Sequence, residues 1–190
     1  MRTVRLVTPL SEAAVLDLRA GDAVLLTGTI HTAREEAHEK LLALADSGME
    51  TPFPLDGAVI YYVGPSPMTP DRPIGAAGPS SASRMDPYAA KLHALGARAS
   101  IGKGRRSPAV LESLKEHRAV YLGATGGAGA LLSMHIRRCR VAAFPELGPE
   151  AVHALDVENF PLTVLCDCHG GDLHAVPDLD AALCVLARGS

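Results

Sequence analysis

Four short apolar runs set the pattern of this chain: Ala23–Gly28 (AVLLTG), Ala58–Val63 (AVIYYV), Arg98–Gly102 (RASIG) and Ala119–Gly123 (AVYLG). Each reads as a strand, and each is followed by a turn or helix-start signal. After the first, Thr32 and Glu35 have capping-box spacing, and Ala37, Leu41, Leu42 and Ala45 supply a helical apolar stripe. After the second, Gly64-Pro65 opens a Pro-, Gly- and Ser-rich stretch to Ser83, and Asp86-Pro87 starts a helix that should stop near Gly96. After the third, Ser107-Pro108 repeats the cap-plus-proline signal, with the helix running to about His117. After the fourth, Gly126–Gly129 is a glycine turn and Ala130–Ile136 a helix. Arg138–Phe144 and Leu162–Cys166 complete the strands, with a short helical turn expected near Glu150–Leu155. Strands alternating with helices predict an α/β fold.

At 190 residues the chain is expected to form one domain over 1–190, without internal repeats. Hydrophobic residues are 47% and aromatics only 4%, so the core must be aliphatic. A net charge of −3 argues against general nucleic-acid binding, which needs a basic surplus. No apolar run reaches bilayer-spanning length and no signal-peptide pattern follows Met1, so the expected location is the cytoplasm. A reducing compartment keeps Cys139, Cys166, Cys168 and Cys184 as free thiols.

Three polar clusters share one kind of address, the segment after a strand and before a helix. The first is Gly28-Thr-Ile-His-Thr-Ala-Arg34, where Arg34 either binds an anion or pairs with Glu35 or Glu36. The second is Gly78-Pro-Ser-Ser-Ala-Ser-Arg-Met-Asp86, with Ser80, Ser81 and Ser83 beside Arg84. Arg84 can grip a carboxylate with two parallel bonds, or can pair with Asp86. The third is Gly102-Lys-Gly-Arg-Arg106, where flanking glycines free Lys103 to reach into a cleft, the alternative being a solvated basic loop. Two arginines and a lysine next to hydroxyls suit a small dianionic acid.

Two other motifs are less specific. Gly123–Gly129 has the context of a phosphate cradle but not dinucleotide spacing, and no Walker lysine follows. It leaves an NAD(P)-binding oxidoreductase as a competing reading. Cys166-Asp-Cys168-His169 is a single short ligand run, more in keeping with a buried strand end than with a structural metal site.

Taken as an ordered set, Gly21-Asp22, Leu26-Thr-Gly-Thr-Ile-His-Thr-Ala-Arg34, Ala37-His38, Gly78-Pro79, Arg84-Met-Asp86, Lys103-Gly104, Tyr121-Leu-Gly, Gly126-Gly127 and Glu146-Leu-Gly-Pro-Glu150-Ala carry a resemblance. Through them the chain resembles the β subunit of class I fumarate hydratases and L(+)-tartrate dehydratases, over nearly its whole length. The resemblance implies a swivelling β/β/α domain of three layers. It implies a hydro-lyase that interconverts fumarate and L-malate, with tartrate to oxaloacetate as the alternative. It implies a [4Fe–4S] cluster held by three cysteines of a separate α subunit, with no metal ligand from this chain, and an α2β2 assembly. Carried over by motif, Arg34, Arg84 and Lys103 bind the substrate carboxylates and Ser80 is the base. The family usually has Thr-Thr where this chain has Ser80-Ser81, so the hydroxyl is kept and the methyl group lost.

Overall fold

The computed structural model describes residues 2–66, 73–124 and 129–175. Its organising element is a sheet that closes on itself. Strands β1 (Thr3–Val7), β2 (Ala23–Thr32), β3 (Val59–Tyr61), β4 (Ala99–Gly102), β5 (Val120–Gly123), β6 (Ile136–Ala143) and β7 (Val152–Cys166) lie in the order β1-β2-β3-β4-β5-β7-β6, and β7 also pairs with β2. The added pairing joins β2, β3, β4, β5 and β7 into a ring. One edge of β2 is shared, with β1 alongside Ala23–Thr27 and β3 alongside His31 and Thr32. Its other edge runs antiparallel to β7. The contacts from β2 through β5 are parallel.

Closure needs β7 to serve three neighbours. Its first part pairs with β6, its last part with β5, and its middle with β2. Between Leu26 and Gly28 the register slips, so that β7 carries one more residue than β2. Asn159 lies in that bulge with φ 47°, and its N–H donates to Thr27 Oγ1 at 3.0 Å. Such a bulge bends the strand. Opposite it, Gly28 has φ 120°, and a Cβ there would lie 2.2 Å from Thr8 Oγ1. Only glycine lets β2 pass this close to the end of β1.

The period-2 pattern sorts two cores. From β3, Val59 and Tyr61 join the inner cluster with Leu26, Ile30, Ile101, Leu122 and Phe160, while Ile60 and Tyr62 face outward. The outer cluster packs under helices α2 (Glu35–Asp46), α3 (Asp86–Ala94) and α4 (Pro108–Glu116), through Leu41, Leu92 and Leu114. Strands buried on both faces read as continuous apolar runs, which is why they stand out in the sequence. Short helices α1 (Glu12–Leu16) and α5 (Gly129–Ser133) complete the set. No helix among the described residues is long and apolar enough to cross a membrane.

Two local expectations need correction. Thr32 does not cap α2. It is the buried last residue of β2, and its hydroxyl donates to Ala151 O at 3.3 Å and accepts from His153 N at 2.9 Å. Pairing with β3 and β7 extends the strand past Gly28, and α2 starts after Arg34 with Glu35 and Glu36 in its positive first turn. The expected helical turn over Glu150–Leu155 lies earlier, as a 3₁₀ segment over Pro145–Glu150, because β7 already begins at Val152. Ser107, by contrast, caps α4 as expected, accepting from Val110 N at 3.4 Å.

Buried His38 and His93 are held neutral. Burial drives His38 down to about 4, and drives His93 to about 3 with help from the charges of Arg106 and His117. Their unfolded value is about 6.5. Both therefore contribute fully above that pH, and their contribution is lost as pH falls towards the folded values. Between about pH 6.5 and 4 stability should drop by roughly 3 kcal/mol per histidine. Urea unfolding across this range should show the loss, with a shallower slope in His93→Phe.

Candidate functional site

Parallel strands present their C-terminal ends on one side, the usual place for ligands in α/β sheets. Arg34 lies two residues beyond β2, after Ala33 N–H donates to Tyr61 O at 3.1 Å. Ser80 returns from the long loop after β3, and its N–H donates to Tyr62 O at 2.7 Å. Lys103 is the residue directly after β4, and its N–H donates to Ser80 O at 3.2 Å. The carbonyl of Lys103 in turn accepts from Ala82 N at 2.9 Å. Ser80–Ala82 thus adds a single parallel bridge beyond β4. Arg84 follows in a 3₁₀ turn, Ala82–Met85.

Arg34 and Arg84 meet through Glu35. Arg84 Nη2 is 2.5 Å from Glu35 Oε1, and Arg34 Nε is 3.5 Å from Glu35 Oε2. Arg34 Nη1 also pairs with Glu150 Oε1 at 2.8 Å. Glu35 is one of the two partners expected for Arg34. Glu150 arrives from the far end of the chain and could not be foreseen. All four candidate residues follow the C-terminal ends of the parallel strands β2, β3 and β4. The Arg84 side chain is 56% exposed, Lys103 is exposed, and Arg34 and Ser80 are partly buried. These strand ends therefore offer positive charge and a hydroxyl on an open face.

Beneath these strand ends lies a group that a solvated basic loop would have left in water. The Arg106 side chain is fully buried. Its Nε donates to Asp86 Oδ1 at 2.7 Å, and its Nη1 donates to Ser100 Oγ at 3.1 Å and Tyr62 Oη at 3.3 Å. The guanidinium lies 5.3 Å from the Tyr62 ring centre and 5.0 Å from that of Tyr121. Burial opposes its charge, but Tyr62 and Asp86 outweigh that and hold it protonated above the usual value. Asp86 is thus the partner of Arg106, not of Arg84. Its other oxygen accepts from Ser107 N at 2.7 Å. Nothing local marks Arg106 as buried, since the tyrosines around it come from two other strands.

The glycine turn falls partly on residues 125–128, outside the described ones. At its ends the packing is tight. A Cβ on Gly123 would come within 2.6 Å of Leu165, and one on Gly129 within 2.9 Å of Gly78 N. Gly129 O accepts from Ala77 N at 3.1 Å, which fixes the strand of loop leading to Ser80.

The described cysteines make no cradle for a metal cluster. Burial pushes the Cys166 thiol up to about 12, aided by Asp172, and raises Cys139 and Cys168 as well. Cys139 lies on β6, and the Cys168 thiol points to Val15 O at 3.9 Å. His169 Nε2 bonds Leu16 O at 2.9 Å, so the C-x-C-H run does not converge. Among the described residues no three His, Cys, Asp or Glu side chains are grouped to hold a metal ion. Cys184 lies outside the described residues.

Asp86→Ala would leave the Arg106 charge buried and unpaired. It should cost about 3–5 kcal/mol in denaturant unfolding.

Residues 1–176 match the family described as Fumarase C-terminus. The chain is 40% identical over 149 residues to "Fumarate hydratase class I, anaerobic" of Escherichia coli, covering 77% of this chain and 27% of that protein. It is 37% identical over 157 residues to "Fumarate hydratase 2" of Leishmania major, covering 82% and 28%. It is 36% identical over 171 residues to "Putative L(+)-tartrate dehydratase subunit beta" of Methanocaldococcus jannaschii, covering 87% and 88%. The chain thus spans little more than a quarter of the two fumarate hydratases, and most of the tartrate dehydratase subunit. With the match running from the first strand through the last, the chain belongs to the fumarase C-terminal domain family.

Proposed function

We propose that this chain is the β subunit of an iron–sulfur-dependent hydro-lyase that reversibly hydrates fumarate to L-malate. The observation that supports this most is the meeting of Arg34, Ser80, Arg84 and Lys103 at the ends of β2, β3 and β4. The relatives' names point the same way, with tartrate to oxaloacetate as the second reading. We take the closed sheet and its helices as a three-layer, swivelling β/β/α arrangement forming one domain. We further propose a cytoplasmic α2β2 assembly in which the α subunit holds a [4Fe–4S] cluster, since the described cysteines of this chain do not converge on one point.

In this reading Arg34, Arg84 and Lys103 hold the two carboxylates of a four-carbon diacid. Ser80 Oγ takes the proton from the carbon next to one carboxylate. The electron pair of the broken C–H bond moves onto that carboxylate, giving an aci-carboxylate-like species. Cations in contact with it stabilise the charge where it develops. The partner subunit completes the site for the departing hydroxide. A serine hydroxyl is a weak base unaided, and a neighbouring cation lowers the cost of its alkoxide. Lys103 is the cation whose backbone is bonded to Ser80.

The test is co-expression with the α subunit and assay of fumarate loss. Ser80→Ala should lower kcat by about 10²–10⁴ while leaving substrate binding largely intact, and Ser80→Thr should retain turnover. Arg84→Ala and Lys103→Ala should each raise KM, at about 1.5–3 kcal/mol per lost charged hydrogen bond. Full turnover by Ser80→Ala, or by the isolated chain, would overturn the assignment. Comparing kcat/KM for fumarate and L(+)-tartrate separates the two substrate readings.

A further inference from the structure

The cations proposed to grip the substrate sit on two pieces of chain, joined at one end by the backbone bridge of Ser80–Ala82 to Lys103 and at the other by a buried side-chain pair. Arg84 is carried by the 3₁₀ turn that runs straight into α3, whose first residue is Asp86. Lys103 is carried by the loop from β4 to α4, which ends at Arg106 and Ser107. The Asp86 carboxylate accepts from both Arg106 Nε and Ser107 N, each at 2.7 Å. Two bonds from one carboxylate fix both distance and angle. The same loop is held at a third point, where Tyr121 Oη donates to Gly104 O at 3.0 Å. Tyr121 is also one of the two rings flanking Arg106, and the other, Tyr62, supplies the carbonyl that receives Ser80 N–H. Gly102 completes the fit, since a Cβ there would press on Tyr62 at 3.0 Å and Ala82 at 3.1 Å.

Burying a guanidinium is expensive, and well-packed apolar groups usually serve stability as well or better. A charge kept here needs another reason. We propose that Arg106, with Asp86, is a positioning device that sets the separation of Arg84 from Lys103 and Ser80, and so matches the site to a diacid of fixed length. Arg106 does not touch substrate. It acts through the loop and the turn it joins. The inference rests on the reading of Arg84 and Lys103 as the carboxylate grip.

Three variants test it in the complex with the α subunit: Arg106→Met, Arg106→Lys and the double variant Asp86→Asn/Arg106→Met. Each is measured for thermal unfolding, for fumarate kcat and KM, and for inhibition by succinate. Arg106→Met strands the Asp86 charge and should lose both stability and activity. The double variant removes both charges and keeps an acceptor for Ser107 N, so its melting temperature should recover. Its fumarate KM and succinate inhibition constant should stay raised about tenfold or more, as expected when binding groups are displaced by a fraction of an ångström. Arg106→Lys keeps a buried cation beside Asp86 but cannot bond Asp86, Ser100 and Tyr62 together. It should fold and show a KM raised by about fivefold or more with a smaller change in kcat.

Unchanged KM and succinate inhibition in any folded variant of Arg106 would overturn the proposal, as would kinetics that recover in step with stability in the double variant. Arg84→Ala and Lys103→Ala, run alongside, separate this failure from that of the parent reading. If they leave diacid binding unchanged, the grip itself is refuted and the positioning role with it. If they weaken it while the Arg106 variants do not, only the positioning role is lost.

Discussion

The antiparallel contact between β2 and β7 is what the rest of the structure depends on. Without it the strands would form an open sheet with exposed edges, and the inner cluster around Phe160 would lack a wall. With it, β2 is held along both edges, and its C-terminal end is fixed relative to β3 and β4. Arg34 leaves from that end. The bulge at Asn159 and the bare backbone of Gly28 are the local concessions that let a fifteen-residue strand bend enough to close the ring.

The site is built from backbone hydrogen bonds first and side chains second. Ser80 is placed by Tyr62 O, and Lys103 by Ser80 O, whatever either side chain does. Backbone bonds of this kind hold a group at a defined height above the sheet, whereas long side chains alone would sample many rotamers. The arginines gain their order differently, through shared carboxylates at Glu35 and Glu150.

Much of this was legible in the sequence, for physical reasons that vary by residue. The strands β3, β4 and β5 announce themselves because both faces are buried, and Ser107 because a cap leaves a short-range signature. The addresses of Arg34, Ser80 and Lys103, each between a strand and a helix, were enough to place them on the same side of a parallel sheet. Thr32 misled because the same hydroxyl that caps a helix can bridge to Ala151 and His153, and only long-range pairing decides between them. Arg106 was missed for the same kind of reason, since its burial is created by Tyr62, Ser100 and Tyr121 from three other places in the chain.

Glu35 stands between the two arginines as their resident counter-ion. In the proposed reading, a dianionic guest competes with this carboxylate for the two guanidiniums. Such an exchange swaps one anion for a chemically similar one, so much of the gross attraction cancels. What survives is the difference in shape and spacing between guest and incumbent. In the proposed reading, this counter-ion makes selection among diacids a matter of fit more than of strength.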